Sequence, residues 1–280
     1  MTHRDVLFFV ILFFIILTII ILVIFYPKYK LWTLKKRIFP YEIEDIILKN
    51  NIKYPQFLKD IVGDNMTLNF VLKYKEFNER PDTFSMARKS EVEQMRELVK
   101  NIANEQISGD LIEAGVWRGG MGMWMKSLMN YYKINTTLWL FDVYGKFPEA
   151  THDNDKHVDP VVRYLFSNPP SIETVKNNFN MFGLLDDKIK FIRGDFKETM
   201  PSTSIPKISI LRIDGDYYES TIIPLENYYF NIVSGGYVII DDYNNDKLDC
   251  KKATDFFRET HGITNPIVSP NSFGAVYWKI

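Results

Sequence analysis

Cysteine is almost missing from this chain: Cys250 is the only one among 280 residues. No intramolecular disulfide can form, a disulfide-built scaffold is excluded, and the usage fits a reducing compartment. Neither sign of charge is in excess, the formal net charge being -1. Without a cationic surplus to neutralise phosphates, and with aromatics scattered rather than interleaved with Lys and Arg, nucleic acid is excluded as a partner. Histidine is sparse, at four residues. His152 and His157 stand with Asp155 and Asp159 in a polar stretch and read as solvated side chains rather than a metal site. Internal repeats and low-complexity tracts are absent too, so most of the chain reads as one ordinary α/β domain.

One long apolar run stands out. Residues 6–26 are apolar or aromatic except Thr18, matching the roughly 20 residues that cross the hydrocarbon core of a bilayer as a helix. Bulky residues continue into Tyr26, Pro27 and Lys28, where a cleaved secretory signal would place small ones. The expectation is therefore a transmembrane helix. Lys28, Lys30, Lys35, Lys36 and Arg37 follow the run, against Arg4 and Asp5 before it. The positive-inside bias then places the C-terminal domain of a single-pass membrane protein in the cytoplasm. The expected organisation is a short tail over 1–5, the span over 6–26, a juxtamembrane connector over 27–80 and one domain over 81–280.

Within that domain, residues 91–104 carry Val92, Met95, Leu98, Val99 and Ile102 at helical spacing. Short apolar runs follow at 111–112, 138–141, 189–192, 208–213, 237–240 and 275–278, separated mostly by helix-length segments. Alternating β and α elements predict a mostly parallel sheet with helices on both faces. Residues 144–170 break the rhythm. They are polar, rich in His, Asp and Pro, and too long for an ordinary connection, which marks a substrate loop or lid.

Chemistry collects at the strand ends. The first strand runs into Glu113-Ala114-Gly115-Val116-Trp117-Arg118-Gly119-Gly120, a glycine turn that lets backbone approach a nucleotide-like ligand closely. It lacks the G-x-G-x-x-G of a dinucleotide site, and the Glu113 carboxylate suits a cationic sulfonium better than a pyrophosphate. S-adenosylmethionine is favoured over NAD. Asp142 closes the second strand, where a carboxylate can accept ribose hydroxyls, and Asp195 with Phe196 closes the third, placed for an adenine. Arg118 is placed to meet the cofactor's carboxylate. The fourth strand ends in Asp214-Gly215-Asp216 and the fifth in Asp241-Asp242. If these strands are neighbours, Asp214, Asp241 and Asp242 offer hard oxygen ligands to Mg²⁺ or a similar ion. Asp216 is then left to take a proton from a metal-activated hydroxyl.

These stretches, together with Leu211-Arg212-Ile213 before Asp214 and Gly235-Gly236-Tyr237-Val238-Ile239-Ile240 before Asp241, resemble the macrocin O-methyltransferase family, which methylates sugar hydroxyls on antibiotics. The resemblance implies a Rossmann-like class I methyltransferase fold with a seven-stranded, mostly parallel sheet. It also implies S-adenosylmethionine and Mg²⁺ as cofactors. By matching positions, Asp214, Asp241 and Asp242 correspond to metal ligands and Asp216 to the general base. Residues 141–148 depart from the family's second-strand motif, and the segment after Pro148 does not match its substrate loop.

The function expected is a membrane-anchored, metal-assisted O-methyltransferase acting on a glycan or small-molecule hydroxyl, and an oligomer is compatible with it. Two rivals remain at this point. A membrane-anchored glycosyltransferase would use Asp214-Gly215-Asp216 as its metal motif, and an inactive binding module would keep the fold and lose the chemistry.

Overall fold

In the computed structural model, residues 84–269 and 274–280 are described. Strands and helices alternate in the order α1 (Lys89–Asn104), β1 (Asp110–Ala114), α2 (Gly120–Tyr132), β2 (Leu138–Asp142), α3 (Asp153–Leu165), α4 (Ile172–Met181), β3 (Ile189–Arg193), α5 (Phe196–Thr199), β4 (Ile208–Ile213), α6 (Tyr218–Tyr228), a short 3-10 turn (Tyr229–Asn231), β5 (Ile232–Ile240), α7 (Cys250–Thr260) and β6 (Val276–Lys279). The strands form one sheet in the order β3-β2-β1-β4-β5-β6. β1 to β5 pair in parallel, and β6 returns antiparallel to β5. Strand order reverses at β1, and a crevice opens there beyond the carboxyl ends of the strands.

Both faces of the central strands are covered, so they carry no polar alternation. All six residues of β4 are buried, as are the last four of β1. Ile112, Phe141, Leu211, Ile213, Val238 and Trp278 join one core cluster. Helix α1 buries the five apolar residues that its periodicity marks. Its first turn is closed by Glu91, which accepts the backbone N–H of Arg88 at 2.6 Å. Ser171 caps α4 by accepting the N–H of Thr174 at 3.1 Å.

Three expectations change. The fifth strand starts at Ile232, not at residue 237. Gly235 takes φ +86° and the register jumps from Ile208↔Ile232 to Ile210↔Tyr237, so glycines that look like a turn in sequence form a bulge inside a strand. The sheet has six strands rather than seven among the described residues. Beside β6, Val268 makes a lone antiparallel bridge to Tyr277, and Pro266 two residues before it has no N–H with which to extend a ladder.

The third correction concerns the membrane. Among the described residues no helix is long and apolar enough to cross one. The longest, α1, has 16 residues, short of the roughly 20 a span requires, and one face of it is charged. The span expected over 6–26, the tail and the connector over 27–80 lie outside the described residues. The transmembrane helix, the membrane partner and the cytoplasmic-facing topology are therefore withdrawn from the assignment.

A Cβ at Gly236 would lie 2.7 Å from Ile232 Cγ2 and 2.9 Å from the carbonyl oxygens of Ser209 and Val233. Gly236→Val is expected to lower stability by about 1–3 kcal/mol in urea denaturation, the usual cost of overpacking. An unchanged midpoint would mean that the bulge is not packed this way.

Candidate active site

The tips of β1, β2, β4 and β5 stay in register one residue beyond the strands. Gly115 N–H donates to the Phe141 carbonyl (2.9 Å), Asp214 N–H to Ala114 (2.7 Å) and Asp241 N–H to Ile213 (2.9 Å). The acidic residues that follow β4 and β5 are thereby delivered to one place. Gly115 sits at φ +92° with its open side against the carbonyl of Asp214, where any Cβ would collide. Trp117 also has positive φ, at 47°.

Asp142 ends β2 as expected, but its oxygens are engaged by backbone. Oδ2 accepts the N–H groups of Val116 (2.7 Å) and Trp117 (3.0 Å), and Oδ1 that of Tyr144 (2.7 Å). The carboxylate thus ties down the glycine turn. Burial raises its pKa, while the amide donors pull it back. Asp195 caps α5 by accepting the N–H of Lys197 at 3.0 Å, and Phe196 is buried beside it.

At the centre lies Arg212 of β4, 2% exposed and surrounded by carboxylates. It reaches Glu113 Oε1 at 2.9 Å, Asp214 Oδ2 at 2.9 Å and Asp241 Oδ1 at 2.6 Å. Burial works against its cation, but Asp214, Asp241 and Glu113 together hold its pKa well above the ordinary value. Glu113 is 1% exposed and its Oε2 has no hydrogen-bond partner. Desolvation pushes its pKa up from 4.5 to about 8 despite the attraction of Arg212. Sequence reasoning treated Arg212 only as part of a strand. The signal was available: an arginine in an otherwise apolar buried strand requires carboxylate partners. Glu91 of α1 was missed as well. It is buried, and its pKa is raised first by burial and then by Asp241, so it belongs electrostatically to the same site.

Asp214, Asp216 and Asp242 each offer a carboxylate oxygen, and the three oxygens lie within 4.8 Å of one another. Asp216 has φ +66°, a backbone state unusual for a residue with a side chain. Burial, then repulsion from Asp214, lifts its pKa from 3.8 to about 7, with a hydrogen bond from Asp242 acting the other way. Asp214 and Asp242 are raised further, burial leading in both. This grouping has Asp216 where the expected ligand set has Asp241, and Arg212 contacts both Asp214 and Asp241.

A cavity of about 180 Å³ joins these parts. Glu113, Gly115, Asp142, Asp195 and Phe196 line it, and so do all four of Asp214, Asp216, Asp241 and Asp242. Arg118 and Gly119 are not brought to it. The Arg118 guanidinium lies 4.7 Å over the Trp117 ring, and Gly119 caps α2.

Fold and site together define a Rossmann-like methyltransferase, with an acidic turn at the cofactor crevice and a carboxylate cluster beside it. The chain belongs to the macrocin O-methyltransferase (TylF) family, whose model matches residues 69–280. It is an S-adenosylmethionine-dependent O-methyltransferase, which removes the glycosyltransferase and inactive-module readings. It is 35% identical over 191 residues to mycinamicin III 3''-O-methyltransferase of Micromonospora griseorubida, covering 66% of this chain and 74% of the relative. It is 36% identical over 185 residues to 8-demethyl-8-(2,3-dimethoxy-alpha-L-rhamnosyl)-tetracenomycin-C 4'-O-methyltransferase of Streptomyces olivaceus, covering 65% and 69%. The solved structure of the O-methyltransferase NovP superimposes with a TM-score of 0.66 at 31% identity, over 75% of this chain and 87% of that one.

Because Glu113 and Asp216 keep protons in the folded chain at pH values where the unfolded chain has lost them, folding takes up protons. Their contribution to stability therefore falls as pH rises, from about 4 up to about 8 for Glu113 and about 7 for Asp216. Urea midpoints of metal-free protein are expected to fall less steeply between pH 5 and 8 in Glu113→Gln than in the parent chain. Equal slopes would mean that Glu113 is already ionised and compensated by Arg212.

Proposed function

We propose that the chain methylates a hydroxyl of a sugar or another vicinal diol, assisted by a divalent cation such as Mg²⁺. The observation that carries this reading is that four aspartates and the glycine turn line one cavity. A relative named for 4'-O-methylation of a rhamnosyl-bearing compound supports the acceptor class. The donor set fits a hard cation: carboxylate oxygens cluster there, and burial together with their mutual repulsion raises their pKa. The glycine turn fits the methyl donor: Gly115, Val116 and Trp117 line the cavity together with Glu113, whose buried Oε2 has no hydrogen-bond partner.

S-Adenosylmethionine supplies an electrophilic methyl group on a sulfonium. Glu113, Gly115, Asp195 and Phe196 would hold it, with Asp142 acting through the turn it ties down and Arg118 and Gly119 through the shape of that turn. Asp214, Asp241 and Asp242 would hold the cation, whose contribution is to acidify a bound hydroxyl and balance the cluster's charge. Asp216 receives the hydroxyl proton. Its carboxylate lines the cavity and stands among the oxygens of Asp214 and Asp242, within reach of a hydroxyl held there. Asp216 would hold the proton released by the acceptor hydroxyl while the surrounding carboxylates keep the acceptor oxygen directed at the methyl group that bound S-adenosylmethionine supplies. The chain's own contribution is chiefly to align the acceptor.

Asp216→Asn is expected to lower kcat by about 10²–10⁴-fold, the usual range for loss of a general base, while Mn²⁺ and S-adenosylhomocysteine still bind. Asp242→Asn is expected to weaken Mn²⁺ binding in calorimetry. If Asp216→Asn were the variant that lost Mn²⁺, Asp216 would be a ligand and the roles would be exchanged. Turnover of labelled methyl donor on sugars with vicinal hydroxyls should stop with EDTA, and undiminished turnover would remove the cation from the reaction.

A further inference from the structure

The polar stretch 144–170, expected as a substrate loop, is built against the site by a side chain that sequence reasoning left in solvent. Phe147 and Phe166, at its two ends, line the cavity. Between them, Asp155 on α3 has no exposed surface. Its Oδ2 accepts the backbone N–H of Tyr218 at 2.7 Å, and its Oδ1 accepts that of Asp249 at 2.8 Å. Tyr218 opens α6 directly after Asp216-Tyr217, and Asp249 ends the turn that runs from Asp241-Asp242 to α7. One carboxylate from a third element is thus bonded to both segments that carry the acidic cluster. Hydrogen bonds from N–H groups to a buried carboxylate are short and strong, and the carboxylate is costly to bury without them.

Neighbouring contacts reinforce the same connection. His152 Nδ1 lies 3.1 Å from Asp249 Oδ2, and its ring stacks on Tyr218 at 3.9 Å and 4°. Asn154 Nδ2 donates to Asp249 Oδ1 at 3.0 Å. Tyr217 donates its hydroxyl to Asp159 Oδ1 at 2.9 Å and meets the edge of Phe147 at 5.1 Å. Each link runs from the stretch 144–170 to the Asp216 turn or the Asp242 turn.

We propose that Asp155 is a positioning residue for the acidic cluster. Through the amides of Tyr218 and Asp249 it sets the separation of Asp216 from Asp242, and the same two bonds register the 144–170 wall against the acceptor side of the cavity. The inference rests on the reading of that cluster as the cation site.

Asp155→Asn keeps size and shape but turns an NH₂ group toward one of two N–H donors. Calorimetric titration of the full chain with Mn²⁺ should show about tenfold weaker binding in this variant, as for loss of an outer-shell partner, with S-adenosylhomocysteine affinity unchanged. Hydrogen exchange should accelerate in 144–170 and around Tyr218 and Asp249, and stay as in the parent in β4 and β5. Leu184→Ala, a truncation of a buried side chain outside these contacts, should lower Tm without moving Mn²⁺ affinity. His152→Ala should shift Mn²⁺ binding in the same direction by less, and it decides the matter if the Asn variant does not fold. Unchanged Mn²⁺ affinity in both clasp variants, or an equal loss in Leu184→Ala, would overturn the proposal. A parent chain that binds no Mn²⁺ at all would instead bring down the cation reading, and the role of Asp155 with it.

Discussion

The site is organised by a buried guanidinium. Arg212 lies in the middle of the sheet, in register with Glu113 on β1 and Ile239 on β5, so its fork reaches carboxylates that come from three strands. Such a charge is tolerated in a core only if its neighbours compensate it, and removing one partner of a buried pair costs on the order of 3–5 kcal/mol. Whatever its net worth to stability, the network fixes geometry. Glu113 beneath the glycine turn and Asp214 and Asp241 at the acidic tips are all measured from one cation.

This explains why the two halves of the cavity are adjacent. The half around the glycine turn depends on Gly115, whose missing Cβ lets the β1 turn lie on the carbonyl of Asp214, and on Asp142, which gathers the amides of that turn. The acidic half begins at the same Asp214. A methyl donor seated at the turn and a hydroxyl seated at the cluster would meet at the boundary between them, which is the placement that methyl transfer requires.

Much of this was legible in the sequence because parallel α/β sheets put their chemistry at strand ends. The alternation of apolar runs and helices, together with acidic residues closing β1, β2, β4 and β5, was enough to locate the crevice and the residues around it. What escaped was set by tertiary partners. Arg212 reads as an interruption in a strand until its three carboxylates are seen. Asp142 looks like a ribose ligand from its position, and only the fold shows that its Oδ2 also accepts amides 25 and 26 residues away in sequence. Asp155 looks like a solvated loop residue, and only the fold brings Tyr218 and Asp249 to it. The Gly235-Gly236 bulge hid half of β5 because a glycine pair signals a turn more often than a kinked strand. The apolar run at 6–26 carried a membrane topology that no described helix supports.

The most direct test of the account is a crystal structure of the chain grown with S-adenosylhomocysteine and Mn²⁺, with the metal located by its anomalous signal. The account predicts the adenosyl group over Gly115 and one manganese bound by the carboxylates of Asp214, Asp241 and Asp242, with Asp216 facing the vacant acceptor side. An anomalous peak away from these aspartates, or a cofactor seated elsewhere while Arg212 keeps all three of its carboxylates, would contradict it.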